Sequence, residues 1–98
     1  MVNMNICCTS KLLLKFFRAA GDSHRQKILA LLKEHNSLNA TEIMKKIKLS
    51  QPTTSHHLSL LEEAGILIAQ KKGKEVLYSL NPKTISSCCL GFMNDLVS

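Results

Sequence analysis

Four Gly and two Pro in 98 residues are too few for a collagen-like or low-complexity chain. With 45% apolar and 20% charged residues the composition is that of a folding globular domain, and the length allows one domain over residues 1–98. No apolar run approaches the roughly 20 residues of a membrane span, and the basic amphipathic stretch Lys11 to Arg18 is short for an interfacial anchor. Met1 to Ile6 lacks a basic leader and Leu12–Leu14 runs into Lys15 and Arg18, so no secretory signal is expected and the chain is placed in the cytoplasm. There is no Cys-x-x-Cys, no phosphate-cradling Gly loop and no nucleophile set beyond bare composition, which sets enzymes aside. Acids are scarce as well. Seven Asp and Glu against thirteen Lys and Arg give a net charge of +6, which makes nucleic acid the first partner to consider and a Lys-rich soluble surface the bland alternative.

What is present divides into five helical patterns and one hairpin. Thr9 or Ser10 can cap a first helix over about 10–20, with Leu12, Leu13, Phe16 and Phe17 as its apolar stripe. Asp22 or Ser23 starts a second helix buried through Ile28, Leu29, Leu31 and Leu32, and His35-Asn36-Ser37 makes the next turn. Asn39 with Glu42 three residues later forms a capping box for a short helix ending near Ile47. Ser50 and Pro52 open a helix over about 51–64 that Gly65 closes, so two short helices meet across Lys48-Leu49-Ser50 as a helix-turn-helix. Two β-rich runs within about 66–80 flank the basic tip Lys71-Lys72-Gly73-Lys74. Asn81-Pro82 begins a last helix over about 82–97, whose Ile85, Cys88, Cys89, Phe92, Met93 and Leu96 recur at helical spacing. The order α-α-α-α-β-β-α is a winged helix: mainly α with a small β-hairpin.

The charges fit a DNA reader. Lys45, Lys46 and Lys48 precede the fourth helix, Lys71, Lys72 and Lys74 sit on the wing, and no acid falls between Lys45 and Leu61. At 100° per residue Thr54, Leu58 and Leu61 share the core side of that helix. Gln51, Thr53, Ser55, His56 and Ser59 are then the groove candidates, Gln being suited to adenine and Ser or Thr being permissive readers. Lys48, Lys71, Lys72 and Lys74 are the phosphate candidates. His57 falls toward the buried side, where a packed, hydrogen-bonded role is expected of it. His24 and His35 stand singly and read as surface or helix-end residues. The competing class is a winged helix serving as a protein-interaction module, with its apolar last helix as the binding face.

The stretch Phe17-Arg18-Ala19-Ala20-Gly21-Asp22-Ser23-His24-Arg25-Gln26-Lys27-Ile28-Leu29 resembles the second-helix signature of the ArsR/SmtB repressors. So does Leu49-Ser50-Gln51-Pro52-Thr53-Thr54-Ser55-His56-His57-Leu58-Ser59-Leu60-Leu61 with Ala64-Gly65-Ile66, and the wing ending in Val76-Leu77-Tyr78-Ser79-Leu80 adds to the likeness over residues 12–80. The resemblance implies a homodimer joined by the first and last helices, double-stranded DNA carrying an inverted-repeat operator as partner, and release by an inducer. It also implies that Ser55 and His56 match positions that touch DNA in relatives.

The resemblance further implies places where an inducing ion would bind. The third-helix thiolate motif of such relatives is missing, because Leu38-Asn39-Ala40-Thr41-Glu42 stands there, and the last-helix zinc site lacks its ligands at Pro82, Lys83 and Thr84. Two adjacent pairs remain, Cys7 with Cys8 and Cys88 with Cys89. If they converge, their thiolates suit As(III), Cd²⁺, Zn²⁺ or Cu(I), or a reversible disulfide. The other reading is that Cys88 and Cys89 are plain core residues, since free Cys is among the most buried residue types. No resident cofactor is required under either reading.

Overall fold

In the computed structural model residues 10–88 are described, with side chains from residue 13 onward. The elements are α1 (Ser10–Ala20), α2 (Ser23–His35), β1 (Ser37–Asn39), α3 (Ala40–Ile47), α4 (Gln51–Glu63), β2 (Leu67–Lys72) and β3 (Glu75–Leu80). A fifth helix, α5, begins at residue 82 and is described to residue 88.

Local chemistry sets where these helices start. Asp22 caps α2, its Oδ2 accepting the backbone N–H groups of His24 at 2.9 Å and Arg25 at 3.1 Å. The capping box of α3 is complete: Asn39 Oδ1 accepts from the N–H of Glu42, and Glu42 Oε1 accepts from the N–H of Asn39. Ser50 Oγ accepts from the N–H of Thr53, and Pro52 lies in the first turn of α4, where no helical N–H is needed. Between α3 and α4 the chain reverses at Lys48, held in the left-handed region at φ 63° with its N–H on the Met44 carbonyl. Gly65 closes α4 at φ 78°, and a Cβ there would lie 3.3 Å from the Thr84 side chain, so α5 begins tight against this turn.

The core is one cluster. Ile28 and Leu32 of α2, Ile43 of α3, Leu58 and Leu61 of α4, Ile66 and Leu67 are buried together, and Cys88 of α5 joins them at 1% exposure. Phe16 closes it from α1. Phe17, which the sequence assigns to the same apolar stripe, is instead 40% exposed, as is Leu14 at 57%. An eleven-residue helix lying on this small core has room to bury only one side. A cavity of about 390 Å³ opens beside Phe17, lined also by Phe16, Ala20, Leu29 and Ile85.

The sheet departs from the expected two-stranded hairpin. It has three antiparallel strands in the order β1-β3-β2, with Leu38 facing Tyr78 on one side of β3 and Ala69 facing Tyr78 on the other. The element order is therefore α-α-β-α-α-β-β followed by α5. A three-residue strand shows no alternation, and its pairing partner lies about forty residues downstream, so periodicity had nothing to register. The turn expected over His35-Asn36-Ser37 contracts to Asn36 alone, at φ 69°, and Ser37 already belongs to the strand.

Candidate nucleic-acid interface

The helix α4 has two sharply different sides. Thr54, His57, Leu58 and Leu61 are buried, while Gln51, Thr53, Ser55, His56 and Ser59 are all exposed. The outer side therefore presents an amide, three hydroxyls and an imidazole, groups that donate or accept hydrogen bonds in the way base edges require. Lys48 is exposed in the turn leading into this helix, with Lys45 and Lys46 exposed at the end of α3. The wing carries Lys71, Lys72 and Lys74, all exposed, around Gly73 at φ 63°. Glu75, the acid next to that tip, is engaged elsewhere: its Oε1 accepts from Asn39 Nδ2 at 2.7 Å.

What holds α4 in place is legible at His57. Its Nδ1 lies 3.0 Å from Arg25 Nη1, and since guanidinium only donates, His57 accepts there and is neutral with its proton on Nε2. Burial, and then the charge of Arg25, push the His57 pKa down, which keeps the acceptor form. The same guanidinium donates to the carbonyls of Ala19 at 2.6 Å and Arg18 at 3.4 Å, so one side chain joins the end of α1, the start of α2 and the inner side of α4. The structural role expected of His57 is thus what is found. Arg25 itself was not singled out from the sequence, because one Arg on an ordinary helix carries no signal until its partner, 32 residues away, is known. His24 is the exposed helix-end residue expected, in the first turn of α2. It is not alone: its ring stacks on that of His57 at 5.8 Å between centroids and its Nδ1 lies 3.8 Å from Asp22 Oδ2.

Cys88 is buried and disulfide-bonded, and Cys7, Cys8 and Cys89 lie outside the described residues. The plain-core and thiol-chemistry readings of this residue therefore meet in one side chain.

Known proteins carry the same pattern. The family model described as "Bacterial regulatory protein, arsR family" matches residues 22–69, from the cap of α2 into β2. Over 78 residues the chain is 35% identical to the transcriptional repressor SdpR of Bacillus subtilis, a match covering 80% of this chain and 86% of that one. The chain belongs to the arsR family. A second relative is the arsenical resistance operon repressor of Escherichia coli, 38% identical over 70% of this chain and 59% of its own length, so this chain spans little more than half of that protein. Among solved structures, the transcriptional repressor PagR of Bacillus anthracis superposes with a TM-score of 0.69 at 31% identity, covering 82% of this chain and 92% of that one. A homodimeric winged helix-turn-helix domain from Mycobacterium bovis superposes with a TM-score of 0.72 at 19% identity, over 87% and 79% of the two chains, a likeness of fold. This arsR-family chain is a DNA-binding transcriptional regulator built on a winged helix-turn-helix, and not an enzyme. No helix among its described residues is long and apolar enough to cross a membrane.

Proposed function

We propose that this regulator is a homodimeric repressor that binds an inverted-repeat operator in double-stranded DNA and leaves it when its thiols receive a signal. The observation that carries the reading is the two-sided α4, buried through Thr54, His57, Leu58 and Leu61 and polar without acids from Gln51 to Ser59. In this reading Gln51, Thr53, Ser55, His56 and Ser59 enter the major groove, and Lys48, Lys71, Lys72 and Lys74 meet phosphates on either side. Two copies place their recognition helices about 34 Å apart, one turn of B-DNA. The exposed Leu14 and Phe17 of α1 supply the surface for that pairing, in keeping with the homodimer described for the Mycobacterium bovis domain.

The thiol part rests on Cys88. A disulfide sulfur has no thiolate to offer an ion, so the bonded state favours oxidation as the signal: two thiols give up two protons and two electrons to a peroxide or polysulfide and become the disulfide. In the reduced state the same sulfurs, with Cys7, Cys8 or Cys89, form a soft donor set suited to As(III), Cd²⁺ or Zn²⁺. The relative from Escherichia coli is named for arsenical resistance, which keeps that class of inducer in the test.

Fluorescence anisotropy on a duplex from the gene's own upstream region decides it, with reduced protein, a salt series, and polysulfide, arsenite or Cd²⁺ added in turn. The expected result is tight binding that weakens with salt, is lost on adding one of these agents, and persists with the agent in Cys88→Ser. Binding that ignores every agent overturns the thiol part, and absence of any duplex binding overturns the operator reading.

A further inference from the structure

A second cluster of ligand-bearing side chains lies away from the cysteines, where the start of α2 meets the inner side of α4. Asp22, His24 and His57 each offer one ligand atom, and the three atoms lie within 4.8 Å of one another. His57 is buried and Asp22 and His24 are partly open to solvent, so the cluster has a protein floor and an accessible mouth. Capping α2 uses Oδ2 of Asp22, and an ionised carboxylate keeps acceptor capacity on its other oxygen. Two imidazoles and a carboxylate form the donor set of borderline divalent ions, and three protein ligands leave a position for water.

We propose that Asp22, His24 and His57 form a binding site for a divalent first-row transition ion of the Zn²⁺, Co²⁺ or Ni²⁺ class, and that this ion competes with Arg25 for His57. The competition follows from valence. A neutral imidazole has one ring nitrogen with a free lone pair, and in this structure that lone pair, on Nδ1, accepts from Arg25. An ion that binds His57 takes the lone pair, directly at Nδ1 or at Nε2 after the ring proton moves to Nδ1, and either way the Arg25 hydrogen bond is lost. The neighbouring guanidinium and the positive end of α2 both oppose a cation, which makes this a responsive site rather than a tightly filled one.

The consequence reaches the DNA face. Arg25 is the side chain that joins α1, α2 and α4, and His57 is adjacent in sequence to His56, the exposed groove candidate. An ion exchanges a bond from α4 to Arg25 for a bond from α4 to Asp22 and His24, which changes what sets the angle of the recognition helix. By linkage, ion and operator then change each other's affinity by the same factor.

The test uses the full chain, as wild type and as a variant with all four cysteines replaced by Ser, titrated with Co²⁺ and followed by its visible absorption. The expected result is one ion per chain in the cysteine-free variant and in disulfide-bonded wild type, with no thiolate charge-transfer band in the variant. His24→Ala, an alteration at the surface, and Asp22→Asn, which preserves a capping oxygen, each weaken Co²⁺ binding at least about tenfold with unchanged circular dichroism. Arg25→Gln, which removes the competing cation, tightens it. Co²⁺ binding that vanishes with the cysteines, or that survives both His24→Ala and Asp22→Asn at full strength, overturns the site. Weaker binding in a folded Arg25→Gln protein overturns the competition.

Discussion

The helix-turn-helix and the α1 end of this molecule are built to different degrees of completion. In the first, α3 and α4 each begin on a side-chain cap, the turn between them is closed by the Lys48 N–H, and the inner sides are buried to within a few per cent. In the second, α1 buries Phe16 and Ala19 but leaves Leu14 and Phe17 in solvent beside an open apolar cavity. A region complete by itself can carry a fixed pattern of hydrogen-bonding groups to DNA. A region left incomplete is where another surface, or a signal, has free energy to contribute.

The largest effect that separates the two comes from their apolar residues. Leu61→Ala, at a fully buried position of α4, is expected to cost about 2–5 kcal/mol in denaturant unfolding, whereas Leu14→Ala on α1 should stay within about 0.5 kcal/mol at protein concentrations below the dimer's dissociation constant. Equal losses would mean the α1 side is as finished as the helix-turn-helix. Next is Gly65→Ala, which puts a Cβ on a left-handed residue and against Thr84, for an expected loss of about 1–2 kcal/mol by the same measurement. A smaller effect is expected from Phe17→Glu, which should raise the dissociation constant of the dimer in sedimentation equilibrium by about tenfold, roughly 1.4 kcal/mol, while leaving the helical content unchanged. An unaltered dimer would remove α1 from the pairing surface. Smaller still, each of Lys71→Gln and Lys72→Gln should lower the slope of log K against log salt by about 0.9 if it removes one phosphate contact.

The brace between the two regions titrates, and its sign is fixed. The His57 pKa is lower in the folded chain than its ordinary value of 6.5, so below about 6.5 the unfolded state binds more protons than the folded one. Stability from this group is therefore complete above the unfolded pKa and declines as pH falls through the window beneath it. Thermal midpoints in chelator from pH 7.5 to 5 should fall more steeply for wild type than for His57→Gln, and parallel curves would mean that folding does not lower the His57 pKa.

Much of this architecture could be read before the structure, because it is written in local chemistry. Caps at Asp22, Asn39 and Ser50, the stop at Gly65 and the inner side of α4 follow from residue type and spacing over a few positions. Three features could not be read. The strand β1 is too short for a period, the Arg25–His57 bond joins residues on separate helices, and the approach of His24 to His57 depends on how α2 crosses α4. Each is a long-range encounter whose partners carry no mark of each other in the sequence. Phe17 shows the reverse limit, since helical spacing names a stripe without saying how much of it one small core can cover.

Asn39 does three things at once: it ends β1, caps α3 and donates to Glu75 at the root of the wing turn. Lys71 and Lys72 lie on β2, paired along its length with β3, the central strand that β1 holds from its other flank, and Gly73 and Lys74 are the only residues between β2 and β3. A basic loop that moved freely would have many backbone arrangements to give up each time it met a duplex. Here most of that loss has already happened during folding, so the wing should meet DNA with its charges in place and association should be governed by diffusion and salt rather than by loop ordering.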